Sequence, residues 1–505
     1  MRMRDFFFAI LFASTASAQN VVSINVPDVV DPGLTFTASV RGVNEGSDIP
    51  VSFGIAFPPD FVVQSVDKPC EIVASRNGVT CSVDFGFTVG ANLVVLAADN
   101  RTGSLASVAA SIALGNTIFT SIKVPQTFVV DNSNDSGNGS LRDAITNANN
   151  GCTFTPCKIA FRIAGQPTRI RPSTPLPAID GDFIIDGTTQ SRGIPGGTIF
   201  LDGSDVASGD GIALAGCSGT VQGLSIGNFH GAGVRVRHTT CDDPAFSIAA
   251  NSIGLDPNDN PAPNDRGVVI DQVIGHHFEH TPVSVTGNVI SANRSSGIFV
   301  VARPSNPDLF DQTVTPLIVA NIIGLDRTLR QSRGNGASGI YIDGSAFVTG
   351  NYIAFNHHFG IAVADFTSAA AILPNSIYAN WQQGIDIGLT DAAPAFVPLI
   401  RGAHYDAATN RTLIDVTVSS HVNGSNLLPV VQFFASDAPH ASGFGDGQYF
   451  LGTSAAPSGT SFTFAALGDW RGKWVAADEI GQHAEEALNI PILRTSAFSN
   501  AVKVE

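Results

Sequence analysis

The sequence predicts an all-β protein in which a parallel β-helix is flanked by N- and C-terminal β-sandwich domains. Three observations carry that expectation. An Asn-led apolar phrase recurs as Asn251-Ser-Ile, Asn288-Val-Ile, Asn321-Ile-Ile, Asn351-Tyr-Ile and Asn375-Ser-Ile. A Gly-led alternating phrase runs through the same stretch: Gly211-Ile-Ala-Leu, Gly233-Val-Arg-Val, Gly267-Val-Val-Ile, Gly297-Ile-Phe-Val, Gly339-Ile-Tyr-Ile, Gly360-Ile-Ala-Val and Gly384-Ile-Asp-Ile. The returns from Gly339 to Gly360 and from Gly360 to Gly384 are 21 and 24 residues, a period that belongs to stacked repeats.

Each phrase reads as a short strand opened by a turn residue. A unit of two or three such strands cannot bury its own apolar side chains. Wound as a coil, each turn covers the last and the inward Ile and Val residues form one core. Alternation sends the other side chains outward. Asn suits the corner because its amide bonds neighbouring backbone and tolerates left-handed geometry, and repeated at one corner it can stack as a ladder. Gly serves the opposite corner, where no Cβ obstructs the bend. A longer repeat is superimposed: Ile253-Gly-Leu-Asp256 returns 70 residues later as Ile323-Gly-Leu-Asp326. Each copy opens a polar excursion ending near Asn264 or Asn335, so the excursions should emerge on one side of the coil.

Taken in order, the chain opens with a basic Met1-Arg-Met-Arg, an apolar Phe6–Ala13 and Ala16-Ser-Ala18 before Gln19. That layout predicts a signal peptide over residues 1–18 and an exported protein. The formal charge of −16, from 27 basic and 43 acidic residues, excludes nucleic acid and anionic membranes as partners, since both select basic patches. No later run is long and apolar enough to span a bilayer. Residues 19–125 lack the repeat phrases. Val21-Val-Ser-Ile-Asn-Val, Thr35-Phe-Thr-Ala-Ser-Val and Val51-Ser-Phe-Gly-Ile read instead as sandwich strands. With Phe57-Pro-Pro-Asp-Phe-Val-Val, Cys70 and Val79-Thr-Cys81 they resemble the Ig-like surface repeats of bacterial secreted proteins, which implies a spacer. Export makes all six cysteines disulfide candidates, and sequence proximity pairs Cys70 with Cys81, Cys152 with Cys157, and Cys217 with Cys241.

The coil is placed over residues 126–397, with a helical cap at 140–149. Ser140-Leu-Arg-Asp143 is a capping box, and Leu141, Ala144, Ile145 and Ala148 lie on one apolar helical face able to seal an open coil end. The Asp131–Gly139 loop only partly matches a calcium loop, because Ser133 and Ser136 replace ligand and glycine positions. No cofactor is expected, with calcium the one possible ion. Asn134-Asp-Ser-Gly-Asn-Gly-Ser-Leu-Arg-Asp-Ala-Ile, Pro175-Leu-Pro-Ala-Ile, Ile185-Asp-Gly-Thr-Thr-Gln190, Val221-Gln-Gly-Leu-Ser-Ile and Asn288-Val-Ile-Ser-Ala-Asn293 together resemble bacterial right-handed parallel β-helix repeat proteins, over roughly residues 127–390. The resemblance implies the pectin-lyase-like fold and a secreted or surface setting, and no particular reaction. Residues 398–505 resemble the β-sandwich module that often follows such coils, with Ala497 where that module commonly has Glu and an insertion at 481–494.

Candidate chemistry is sparse. His276-His-Phe-Glu279-His280 matches the zinc-peptidase order His-x-x-Glu-His, but Gly275 and Pro282 bracket it. That context argues for a loop rather than the helix the motif requires. Asn356-His357-His358-Phe-Gly360-Ile distantly resembles a corner of β-helix epimerases and lyases. Asn293 to Gly297 and Asn380 to Gly384 fill the same slot without histidine, so it reads equally as a turn. Asp271, Asp343, Asp365 and Asp386 sit in or just after Gly-led strands and could line one flank, for glycan binding, acid/base work or calcium. The Asp-Asp and Arg-x-Lys signatures of pectin hydrolases are missing, and Asp242-Asp243 lies beside Cys241. The sequence therefore predicts a noncatalytic binder of extracellular polysaccharide or cell-surface glycan, with Asp343, Asp365, His358 and Asp386 as the ligand face and Tyr341 as a sugar-stacking surface. The alternative is a polysaccharide lyase, epimerase or hydrolase using that same face.

Overall fold

The computed structural model describes residues 20–30, 34–97, 103–153, 156–165, 168–190, 199–237, 239–241, 244–271, 273–275, 283–302, 315–364, 369–388, 397–418, 429–455, 460–484 and 491–505. They form an all-β protein that divides into two compact units, Met1–Thr127 with Thr153–Cys157, and Phe128–Cys152 with Lys158–Glu505. The expected signal peptide, His276–His280, Asp242-Asp243 and Asp365 lie outside the described residues.

In the first unit two antiparallel sheets share one core, as a β-sandwich requires. One sheet orders Val21–Asn25, Thr35–Val43, Thr88–Leu96 and Val62–Val66. The other orders Glu71–Ile72, Gly78–Val83, Val51–Ala56, Ser104–Ile112 and Thr117–Val124. Phe53, Phe57, Phe61 and Leu93 are buried between them. A disulfide joins Cys70 to Cys81 across 11 residues. Cys152, Cys157 and Cys217 are also oxidised, while the Cys241 side chain lies outside the described residues.

The second unit is dominated by three parallel ladders that the chain visits in turn. The first runs from Phe183–Asp186 through Ser218–Gln222, Ala245–Ala249, Val283–Thr286 and Leu317–Val319 to Ala369–Ile372. The second, built from the Asn-led phrases, runs from Thr168–Ile170 to Ser376–Tyr378. The third, built from the Gly-led phrases, runs from Ile212–Leu214 to Ile385–Ile387. The single strand Ile340–Thr349 serves the third ladder with its first half and the first ladder with its second. This is the strand order a parallel β-helix requires. Equal positions stack inward: Leu201, Ile226, Ile253, Ile290, Ile323, Ile353 and Ile377 are register partners in succession, and all are buried. Burying each such side chain contributes about 1.5–3 kcal/mol, available only once a neighbouring coil is present.

Two buried Asn ladders hold the corners. In the first, the backbone N–H and amide of Asn251, Asn288, Asn321 and Asn351 each donate to the next Asn Oδ1 at 2.8–3.1 Å, ending on Asn375. The second runs through Asn264, Asn293, Asn335, Asn356 and Asn380. The left-handed residue is not the ladder Asn, as the sequence led us to expect, but the residue before it: Ala250, Ala292, Ala320 and Ala379 have φ of 52–59°. The Asn is thereby free to keep extended geometry and aim its amide along the coil axis. The Gly opening each third-ladder strand is required by close approach. A Cβ on Gly267 would meet the Gly297 carbonyl oxygen at 2.4 Å, and one on Gly339 the Gly360 oxygen at 2.7 Å.

The single α-helix of the described residues spans Leu141–Gly151. The Ser140 side chain accepts from the Asp143 N–H, and Leu141, Ala144, Ile145 and Ala148 are buried. Arg142 and Asn149 tie it to the carbonyls of Thr174, Pro175 and Ala178. In the preceding loop the Asp135 carboxylate is taken up by Arg142 at 2.9 Å and Ser173 at 2.6 Å, so it serves as a tether for the helix.

After the coil, Leu399–Asp406, Arg411–Thr417 and Ser461–Leu467 form one antiparallel sheet. A second, five-stranded sheet centres on Val430–Ser436 and Trp474–Ala484. Ile414, Val416, Val431, Phe433 and Val475 share their core. Of the expected insertion at 481–494, residues 485–490 lie outside the described residues, and the strands Trp474–Ala484 and Pro491–Thr495 on either side pair antiparallel.

Candidate functional site

Parallel register stacks the outward side chains of the third ladder in columns. One column reads Arg235, Val269, Phe299, Tyr341, Ala362, Asp386. Phe299 and Tyr341 stack with centroids 4.9 Å apart and planes 7° from parallel, about the 4.8 Å that separates neighbouring strands. Arg266, one coil earlier, lays its guanidinium 4.4 Å from the Phe299 centroid, a cation–π contact. Its Nε is buried with no hydrogen-bond partner among the described residues. The position after Tyr341 in the column is Ala362, a methyl group where a third ring would stand. The column thus passes from two stacked rings to the buried methyl of Ala362 and then to Asp386.

Asp386 is half-buried, and burial raises its carboxyl above the ordinary carboxylate value, with the charge of His358 opposing. His358 is exposed on the preceding coil, and its carbonyl accepts from the Gln382 N–H at 3.0 Å. His358 thus lies on the coil next to Asp386, within range of its charge. Asp343 is placed differently. It stands opposite Val301, two residues further along its strand than Tyr341. Two coil spacings and a two-residue offset put the Asp343 and Asp386 Cα atoms about 12 Å apart, in different columns of the ladder. Asp271 is drawn into an ion pair: Arg235 sits between Asp210 at 2.8 Å and Asp271 at 3.1 Å.

His357 occupies a turn, with its backbone N–H on the Asn335 carbonyl and its ring 6.5 Å from the exposed Trp381. The polar excursions emerge together at the corner between the second and third ladders, joined by Arg327 and Asp259 at 2.8 Å. Their opening carboxylates accept from their own loops: Asp256 from the Asn258 and Asn260 N–H groups, Asp326 from those of Arg330 and Gln331. No group of three or more metal-ligating side chains occurs among the described residues.

Sequence reasoning singled out Tyr341, His358 and Asp386 but missed Phe299 and Arg266. A signal was present, since Phe299 follows Gly297 at the same offset as Tyr341 follows Gly339. The stacking needs the register, which skips the excursion of residues 324–334.

No family model matches the chain, and no curated protein matches it. Among solved structures, a cohesin module from a Clostridium perfringens family 33 glycoside hydrolase aligns at 14% identity, covering 22% of this chain and 99% of that one with a TM-score of 0.17. A likeness at that score carries nothing about fold or function.

Proposed function

We propose that the protein is a secreted or surface right-handed parallel β-helix of the pectin-lyase-like kind, and that it binds an extracellular polysaccharide without cleaving it. Crossovers between parallel strands of one sheet are right-handed in nearly all proteins, which supports that winding. Oxidised cysteines fit an oxidising compartment. The observation that carries the function is the outward column of the third ladder. An Arg266–Phe299–Tyr341 stack offers apolar ring surface to a sugar, and Asp386 and His358 beyond Ala362 supply acceptor and donor groups for its hydroxyls. Ring faces with a few convergent polar groups are the ordinary composition of such sites.

The test is a panel of acidic and neutral polysaccharides, scored by affinity electrophoresis and for new reducing or unsaturated ends. Binding without new ends is expected. Tyr341→Ala should weaken binding about tenfold, the order of one lost stacking contact. Ala substitutions at His358, Asp386, Asp343 and Asp365 measure how far the polar face extends. Full affinity in every variant would place the ligand elsewhere.

One observation favours a second reading. A carboxyl with raised proton affinity beside a histidine is the equipment of general acid/base catalysis. New chain ends that disappear in Asp386→Asn would make the protein a polysaccharide lyase, epimerase or hydrolase instead.

A further inference from the structure

The last coils and the C-terminal sandwich enclose a groove remote from that column. Gly447 exchanges backbone hydrogen bonds with Ile377 at 2.7 and 2.9 Å, and the Gln448 carbonyl accepts from the Ser376 hydroxyl at 2.8 Å. The sandwich strand therefore runs along the exposed edge of the second ladder, and its next residues face the outward side chains of that ladder. Between them lies a cavity of about 520 Å³ walled by Tyr352 and Tyr378 from the coil and Gln448, Tyr449, Phe450 and Trp470 from the sandwich. Three of the chain's five tyrosines are gathered here. Tyr352, Tyr449 and Phe450 are 44%, 37% and 45% exposed, an unusual state for large rings with a core beside them.

We infer that this groove is a binding site for an uncharged segment of a linear polysaccharide. Two observations select that ligand. First, among the described residues the lining holds no charged side chain in a chain of net charge −16, and the nearest charges, Lys473 and Asp437 beside Tyr449, are paired with each other. Second, the polar ends of the sandwich rings already have partners within the chain. The Trp470 indole N–H donates to the Leu467 carbonyl at 2.9 Å, and the Tyr449 hydroxyl donates to Asp437 at 3.2 Å. Those bonds orient the rings, which lie 5.8 Å apart. Ring faces remain, together with the hydroxyls of Tyr352 and Tyr378 at the rim. That combination fits the C–H faces and equatorial hydroxyls of neutral sugar rings. The inference shares the glycan-binding reading with the proposed function but not its site.

The test is calorimetric and fluorescence titration of the full chain with cellohexaose, xylohexaose and mannohexaose, with hexagalacturonate and decaproline as contrasts, and light scattering for self-association. At least one neutral hexasaccharide should bind and perturb tryptophan emission. Tyr352→Ala and Tyr449→Ala should each weaken that binding tenfold or more. Because both side chains are exposed, these variants should keep the wild-type melting temperature. The emission change should survive Tyr341→Ala and be lost in Trp470→Phe, because Trp470 lines the groove, which separates this groove from the coil face. Any of four results would overturn the inference: no neutral hexasaccharide bound, affinity retained in both variants, preference for hexagalacturonate or decaproline, or a groove closed by a second copy of the chain that Tyr352→Ala releases. Loss of coil-face binding alone would leave it standing.

Discussion

The ladder asparagines are the residues on which the coil is most exacting. Asn321 accepts from both the backbone N–H and the amide of Asn288, and its own N–H and amide donate to Asn351. All of these groups are buried. Replacing Asn321 by Ala strands the backbone N–H of Asn288, whose amide keeps Ile248 and Thr286, and removes the amide bond to the Val285 carbonyl; each buried group left unsatisfied costs about 1–3 kcal/mol. Asn321→Ala should therefore lower unfolding free energy by about 2–5 kcal/mol in denaturant titration. Asn258→Ala, in an exposed excursion, should change it by less than about 0.5 kcal/mol. Equal effects would mean that the ladder contributes geometry without stability. The ladders were half legible beforehand. The Asn at the first corner announces itself by recurring before an apolar pair, whereas Asn264, Asn293, Asn335, Asn356 and Asn380 vary in what surrounds them and become a second ladder only through register.

At the scale of elements, the Gly-led and Asn-led strands were readable because a glycine or asparagine opens each one. The first ladder was not: Ala245–Ala249, Val283–Thr286 and Leu317–Val319 begin without a marker residue and follow loops of unequal length. The helix was readable in full, since its cap and apolar face are local features. Its four buried side chains predict a specific sensitivity. Ile145→Asp puts an unpaired charge on the docked face at a cost of several kcal/mol, so the melting temperature should fall well below that of Thr146→Asp on the exposed side. Similar melting temperatures for the two variants would show that the helix is not held against residues 174–180.

At the scale of the molecule, the C-terminal sandwich takes the place of a missing coil. Where each opening Gly meets the next coil's Gly carbonyl, Gly384 meets the Phe498 ring, 2.8 Å from the position of its absent Cβ. Gln432 and Thr495 bond the backbone of Ile372. The Ala379 N–H, whose counterpart Ala292 donates to the carbonyl of Arg333 in the next coil, donates instead to the Asp446 carboxyl at 3.1 Å. The other Asp446 oxygen is buried with no partner among the described residues. Burial pushes this carboxyl up to about 6, against the Ala379 bond and the charge of His440. The folded state thus holds the proton more tightly than the unfolded chain does. The stabilisation is fully present below about pH 4 and is lost as pH rises through about 6, a difference of about 3 kcal/mol. Asp478, buried in the same sandwich, is raised in the same direction, so the informative quantity is a difference between variants. Asp446→Asn should remove about that much of the decline in stability between pH 4 and pH 7. Parallel wild-type and variant pH profiles would show that the carboxyl is solvated and does not close the coil.

The sequence by itself determined that the chain is a stack: alternation, corner residues and a short period are local properties, and no other arrangement buries those Ile and Val side chains. It also marked Tyr341, His358 and Asp386, because each sits at a fixed offset from a repeated Gly. Only the tertiary structure decided which of these meet. Asp343 stands four residues after Gly339 and Asp386 two after Gly384, so they fall in different columns, while Asp386 feels the charge of His358, 28 residues away in the chain. The aromatic groove was invisible for the same reason in stronger form. Its rings come from two coils, one sandwich strand and the connection after another, with no shared motif, and packing of one element against the end of another is what brings them to one place.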